Sequence, residues 1–359
     1  MDKDSVMNAL KGVKYPGFSR DIVAFGLVRG VEVDGDKVVV SLGLTTNDDA
    51  LVKTLGDAVE AALKALGIKN PDITIGVNRP KSAPSSLGQH HSTSAERADN
   101  PLGRIRHIVA VASGKGGVGK STFSVNLAVA LAKELEARGR TGKTGLVDCD
   151  IYGPSVPLML GLGGRPEVVN DEMLVPVENF GVRAMSMGLL VDPDQAIIWR
   201  GPMIMKTIQQ FATQVSWGEL DILLVDLPPG TGDAQLSLVQ TMPLSGAVIV
   251  TTPQEAAISV ARRGAGLFGK VNVPLLGVAE NMSYFEDANG VRQYIFGSGG
   301  GLKTAGDLET EFLGEVPLDP RVREGGDRGI PICVSHPDAN AARVFRSIAL
   351  RLLQKLGIV

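Results

Sequence analysis

Cysteine is nearly absent from this chain of 359 residues. Cys149 and Cys333 are its only two thiols, too few for a disulfide framework and in keeping with a reducing cytoplasm. No apolar run approaches the roughly 18 residues needed to cross a bilayer. The N-terminus, Met1-Asp-Lys-Asp-Ser-Val-Met7, lacks the charged-then-apolar layout of a signal peptide. Nor is there an excess of basic charge: the formal net charge is −3, which gives no footing for general nucleic-acid binding. These absences point to a cytoplasmic protein with no nucleic-acid partner and no stable membrane association.

What remains is ordinary for a soluble protein with a sizeable core, with 44% hydrophobic and 21% charged residues. The length suits one large and one small domain. Residues 1–78 read as a small α+β domain. Val31-Glu-Val33 and Lys37-Val-Val-Val-Ser-Leu42 flank Asp34-Gly-Asp36, a hairpin signal. Apolar Leu51, Val52, Leu55, Val59, Ala62, Leu63 and Leu66 then recur at helical spacing, with Gly67 as the expected cap. Asp72-Ile-Thr-Ile-Gly-Val77 reads as a last strand. Residues 79–104, rich in Pro, Ser, His and Ala, lack periodicity and read as a flexible linker. His90 and His91 fall there and are read as solvated.

Residues 105–359 alternate strands and helices, the pattern of a doubly wound α/β domain with a mostly parallel sheet. Ile108–Ala112, Gly145–Asp148, Ile222–Asp226, Ala247–Thr251 and Leu275–Ala279 read as buried strands. Helices are expected from Lys120 to about Ala137 and from about Ala339 to Leu356. Between the first strand and the first helix, Gly114-Lys-Gly-Gly-Val-Gly-Lys-Ser121 fits the phosphate-loop pattern G-x-x-x-x-G-K-[ST] in the required context. Glycines there let successive backbone N–H groups converge on phosphate oxygens, and the helix N-terminus adds a positive dipole end. Gly114, Lys115, Gly116, Gly117, Val118, Gly119, Lys120, Ser121 and Thr122 are therefore the expected contacts to ATP. Lys120 is assigned to the β- and γ-phosphates and Ser121 to Mg²⁺. Two further strand ends carry acids. In Asp148-Cys-Asp150, Asp150 is assigned to position the attacking water and Asp148 to lie nearer the metal. Asp226, in Asp226-Leu-Pro-Pro-Gly-Thr-Gly-Asp233, is assigned as the Mg²⁺-holding carboxylate, and the Gly230 N–H as a γ-phosphate donor.

A second lysine after the first glycine, Lys115, resembles the deviant Walker A motif of the family containing nitrogenase iron protein, MinD and ParA. That resemblance implies an ATP-dependent homodimer in which Lys115 reaches phosphates across the interface, with slow, switch-like hydrolysis. Trp199-Arg-Gly-Pro-Met203, Thr251-Thr-Pro-Gln254, Glu280-Asn-Met-Ser-Tyr-Phe285, Ile295-Phe-Gly-Ser-Gly-Gly-Gly301 and Val316-Pro-Leu-Asp-Pro320 extend the match to the Mrp branch. Residues 1–78 are similar to the small domain fused to many Mrp proteins and found alone in iron–sulfur assembly factors. The resemblance implies a carrier that delivers iron–sulfur clusters to apo client proteins, with Asn281 and Pro317 contacting adenine.

The chain also departs from that pattern. Many Mrp proteins carry Cys-x-x-Cys shortly after the Ser-Tyr-Phe segment, whereas this chain has Phe285-Glu-Asp-Ala-Asn-Gly-Val-Arg-Gln-Tyr294. Thr45-Thr-Asn-Asp-Asp49 stands where many small-domain relatives place a cysteine. Cys149 reads as a buried structural thiol. Cys333, after Pro331, reads as lying in a loop and as the iron–sulfur ligand of the two. Three functions remain in view: a cluster carrier, a cluster-free ATPase scaffold or chaperone, and a positioning ATPase like MinD or ParA. The last would need the amphipathic segment Val344–Leu356 to be free for a membrane.

Overall fold

The computed structural model describes residues 3–14, 21–23, 27–34, 37–45, 49–78, 101–151, 153–170, 173–191, 201–230, 233–287 and 289–359. The turn residues 35–36, the threonine segment at 46–48, the linker at 79–100 with His90 and His91, Trp199-Arg200 and Thr231-Gly232 lie outside the described residues. The chain divides into two compact units, Met1–His90 and His91–Val359.

The first unit runs α1 (Lys3–Leu10), β1 (Val28–Asp34), β2 (Lys37–Thr45), α2 (Asp49–Ala65) and β3 (Asp72–Asn78). Strand β2 pairs antiparallel with β1 and parallel with β3, so α2 serves as the crossover that a parallel pair requires. Val38, Val40 and Leu42 alternate along one face of β2 and are buried. They share a core with Leu55, Val59 and Leu63, which recur every four residues along α2. Gly67 follows the helix with φ +89°, a left-handed backbone that glycine adopts without strain.

The second unit opens with β4 (Ile105–Ala112), α3 (Lys120–Glu136), β5 (Thr144–Asp148) and α4 (Val156–Met159). Next come a two-stranded ribbon of β6 (Val168–Val169) and β7 (Met173–Leu174), then β8 (Val177–Asn179) and β9 (Val182–Ser186). α5 (Gly201–Thr213), β10 (Leu220–Asp226), α6 (Asp233–Thr241), β11 (Gly246–Thr251), α7 (Glu255–Lys270) and β12 (Leu275–Glu280) complete the middle of the unit. A small hairpin of β13 (Phe285–Glu286) and β14 (Arg292–Gln293) precedes α8 (Gly300–Asp307) and β15 (Phe312–Glu315). α9 (Pro320–Arg328), α10 (Ile332–Ser335) and α11 (Asn340–Lys355) close the unit.

Eight strands form one sheet in the order β15-β12-β11-β4-β10-β5-β9-β8. All neighbours are parallel except β8, which pairs antiparallel with β9. The central strands are continuous apolar runs because both faces are covered. Along β10, Ile222 and Leu224 enter the core under α3 and α11, while Leu223 and Val225 enter the opposite one with α5, α6 and α7. Strand β4 alternates in the same way through Val109 and Val111 on one face and Ile108 and Ala110 on the other.

Helix α3 is buried nearly all round, between the sheet and α11, where the Phe123 and Phe345 rings meet at 5.6 Å. The apolar stripe of α11, including Phe345, Ile348, Leu352 and Leu353, lies in this core. It is therefore packed against the domain and not presented as an amphipathic tail. Among the described residues no helix is long and apolar enough to cross a membrane.

Phe345 is 1% exposed and backs the helix that follows the phosphate loop. Phe345→Ala is expected to destabilise the large unit by about 3–5 kcal/mol through lost burial and a cavity. Urea unfolding followed by circular dichroism measures this.

Candidate functional site

The phosphate loop leaves the C-terminal end of β4 and enters α3 at Gly119, where the order of neighbouring strands reverses and α/β sheets form their ligand crevice. Two of its glycines are required by their surroundings. A Cβ at Gly114 would lie 2.2 Å from the backbone of Val260 in α7. Gly119 has φ +75°, and a Cβ there would lie 2.4 Å from Asn281 Nδ2. Asn281 is itself a brace for the loop: its Nδ2 donates to the Val118 carbonyl at 2.9 Å.

Beneath the loop, Asp226 at the end of β10 is fully buried and gathers the first turn of α3. Lys120 Nζ lies 2.8 Å from Asp226 Oδ1. Ser121 Oγ donates to Asp226 Oδ2 and Ser124 Oγ to Oδ1, each at 2.6 Å. Ser124 went unremarked in the sequence, although it stands one helical turn beyond Lys120 and so on the same face. The Ser121 hydroxyl and Asp226 carboxylate are hard oxygen donors of the kind Mg²⁺ takes, which leaves further positions to phosphate and water.

A cavity of about 210 Å³ above these residues is lined by Lys115 to Thr122, Asp150, Ser155 and Pro229 among others. Lys115 is exposed, and among the described residues its amine has no hydrogen bond or ion pair. Asp150 reaches this cavity from the loop after β5, with its Oδ1 accepting from the Gly153 N–H at 3.3 Å.

Three expectations are corrected. Asp148 does not line the cavity. It is completely buried, its Oδ1 accepts from the Asp150 N–H at 3.0 Å, and its Oδ2 accepts from Ser186 Oγ at 3.1 Å and the Val156 N–H at 3.3 Å. Its oxygens are thus engaged in shaping the loop that presents Asp150 and do not open on the cavity. The Gly230 N–H donates to the Ser113 carbonyl at 3.4 Å, linking the two loops where a free phosphate donor had been expected. Cys333 lies not in a loop but in the first turn of α10 (Ile332–Ser335), which begins directly after Pro331.

Both thiols are shut in. Cys149 is 2% and Cys333 4% exposed. Burial pushes the Cys149 thiol far up, reinforced by the Asp148 and Asp226 charges, and pushes Cys333 up to about 12. Cys333 Sγ lies 3.5 Å from the Asn126 carbonyl inside the main core. In the β13–β14 hairpin the carboxylates are engaged: Glu286 Oε2 accepts from Asn340 Nδ2 at 3.0 Å, and Asp287 Oδ1 accepts from the Asn289 and Val291 N–H groups at 2.9 Å. Among the described residues no three His, Cys, Asp or Glu side chains group as a metal site. These residues do not fit a thiolate-held cluster.

Beside the phosphate cavity lies a second one of about 410 Å³, sharing Gly119, Thr122 and Met159 with it and bounded by Asn281, Met282 and Pro317. The two form one slot, polar at the loop and more apolar beyond it. Asn281 and Pro317, expected at adenine, thus stand together on its wall.

A family model described as NUBPL iron-transfer P-loop NTPase matches residues 104–353, and one described as iron-sulfur cluster assembly protein matches residues 3–70. An iron-sulfur cluster carrier protein of Synechocystis is 44% identical over 99% of this chain and 98% of its own length. A solved nucleotide-binding protein of Archaeoglobus fulgidus, in complex with ADP, is 40% identical and superposes with a TM-score of 0.56, covering 66% of this chain and 91% of that one. The cell division ATPase MinD of Pyrococcus furiosus, at 22% identity and a TM-score of 0.51 over 69% of this chain and 99% of its own, shares the fold.

Burial, and then the neighbouring Asp226 charge, raise the Asp148 carboxyl to about 7. An unfolded aspartate titrates near ~3.9, so the folded state holds this proton more tightly. The resulting stability is fully present below about pH 4 and is lost as pH rises through about 7. Asp148→Asn is expected to flatten that part of the stability–pH profile, measured as the change in thermal midpoint between pH 5 and pH 8.

Proposed function

The chain belongs to the family of NUBPL iron-transfer P-loop NTPases, and from that membership we propose that it binds and hydrolyses ATP as a homodimer serving the transfer of iron–sulfur clusters to apoproteins. The observation that carries the nucleotide part is the pairing of a buried lysine, Lys120, on Asp226 with an exposed and unpartnered lysine, Lys115, on the same loop.

In this reading Lys120 and the loop N–H groups hold the β- and γ-phosphates, and the slot bounded by Asn281 and Pro317 takes the adenine. Ser121 and Asp226 hold Mg²⁺, which when bound neutralises phosphate charge. Asp150 orients the water that attacks the γ-phosphate. Lys115 has no partner among the described residues of its own subunit and serves the nucleotide of a second copy. Hydrolysis that waits on such assembly is slow and acts as a switch.

The cluster is cargo in this scheme, and its thiolate ligands come from molecules other than the folded chain, such as the client's own cysteines. Burial of both thiols equally favours a second reading, in which the ATPase is a scaffold or chaperone that never holds a cluster.

Lys120→Ala is expected to lower ATP turnover at least about a hundredfold, since phosphate charge loses its main side-chain partner. Lys115→Ala is expected to retain nucleotide binding but not turnover. When Lys115→Ala and Asp150→Ala chains are mixed, both changes fall on one composite site and the other site is intact, so phosphate release should partly recover. Verified mixed dimers without recovery would place Lys115 within its own subunit's site.

After anaerobic reconstitution, iron and sulfide are expected to stay well below one cluster per dimer and to be unchanged in Cys149→Ser and Cys333→Ser. A stable cluster lost with Cys333→Ser would restore that residue as a ligand. ATP-dependent activation of an apo client in the presence of a cluster donor separates carrier from scaffold.

A further inference from the structure

The parallel sheet has two ends, and the phosphate loop uses only the C-terminal one. At the N-terminal ends of β4, β10 and β5, about one strand length (~23 Å) away, lies a cavity of about 830 Å³. Its charged lining is Arg104, Arg106, Arg140, Lys143, Glu219 and Asp221, four cations against two carboxylates.

The packing of the sheet accounts for part of this set. Asp221 is 3% exposed and is gripped by Arg140, whose Nε donates to Oδ2 at 2.7 Å and whose second nitrogen donates to Oδ1. That pair joins the start of β10 to the α3–β5 connection and removes the cost of a buried carboxylate. It leaves the other cations over. Arg106 NH1 is 3.6 Å from the already satisfied Asp221 Oδ1, and its side chain is 60% exposed. Lys143 meets Glu219 at 3.1 Å, but the Glu219 side chain is 76% exposed, so water screens that pair. Arg104 ends a short 3₁₀ turn and has no ion pair among the described residues. The surplus is felt nearby: Lys143, and then Arg104, hold the Glu219 carboxyl below its usual range. His107 is held low by burial and then by Arg106.

We propose that this cavity is a second anion site, distinct from the nucleotide slot, for a small ligand bearing two or more oxyanion groups, a polycarboxylate or a polyphosphate. Guanidinium forks suit such groups because two N–H donors meet two oxygens in one plane, and Arg104 and Arg106 bring two forks to one opening. Lys143 adds a third charge from the floor. A ligand here would touch the strand starts and leave the phosphate loop open.

The test is calorimetric titration of the full-length protein with citrate and, separately, with pyrophosphate in low salt. Arg104→Ala/Arg106→Ala is expected to weaken a binding component at least about tenfold. Arg104→Lys/Arg106→Lys should recover it only in part, since the charge returns without the fork. Raising the salt should weaken it as well. Excess ADP, which fills the slot at the other end of the sheet, should leave it in place. Arg140 is not substituted, because its loss would strand Asp221 and unfold the edge. Citrate binding without pyrophosphate binding assigns a polycarboxylate, and the reverse a polyphosphate. No binding of either anion, or binding unchanged by the double alanine variant, overturns the proposal.

Discussion

A carboxylate with no access to water is unstable unless donors surround it, and Asp226 is such a group. Its neighbours are drawn entirely from one turn of α3: an ammonium and two hydroxyls from Lys120, Ser121 and Ser124. Removing any one would leave charge or hydrogen-bonding capacity buried without a partner, which costs far more than the net worth of the contact. The helix is therefore tied to the end of β10 by its first turn, and the loop ahead of it has both ends anchored. The backbone continues the tie, because the Cys149 N–H donates to the Asp226 carbonyl at 3.0 Å. Asp148, on the adjoining strand, adds the loop that carries Asp150. Phosphate loop, carboxylate and the loop carrying Asp150 are thereby parts of one hydrogen-bonded body.

Much of this was legible because it is local. The glycine spacing from Gly114 to Gly119 is contiguous, and the strand before it and helix after it announce themselves by period. Apolar runs such as Ile222–Val225 mark strands covered on both faces. The remainder depends on contacts distant in sequence. Ser124 meets Asp226 across 102 positions, and no pattern in either segment points to the other. Asp148 and Asp150 differ by two residues, so they could be told apart only by which one turns toward Ser186 and the Val156 N–H. Pro331 marked a break in the chain but not its sense: it opens α10, and the thiol two residues on turns into the core. The Gly230 N–H, free by motif, finds the Ser113 carbonyl only because β4 and β10 are neighbours.

The same sheet separates two kinds of electrostatics. At the C-terminal ends, buried aspartates are balanced by loop donors and one enclosed lysine. At the N-terminal ends, Arg140 neutralises Asp221 and further cations remain at the surface. Strand polarity brings this about without any special device, since parallel strands gather all their starts on one side and all their ends on the other. The Arg140–Asp221 pair secures the starts as the Asp226 group secures the ends.

The enclosure of both cysteines has a consequence for how the molecule endures air. Thiol oxidation requires a thiolate that an oxidant can reach, and here each sulfur is protonated and walled off by packed side chains. Peroxide is therefore expected to form sulfenic acid or intermolecular disulfides only on molecules that have opened. The cysteines thus offer an oxidant nothing while the fold holds, and the oxidisable sulfurs left beside the phosphate loop are the half-buried Met159 and Met282 on the wall of the slot.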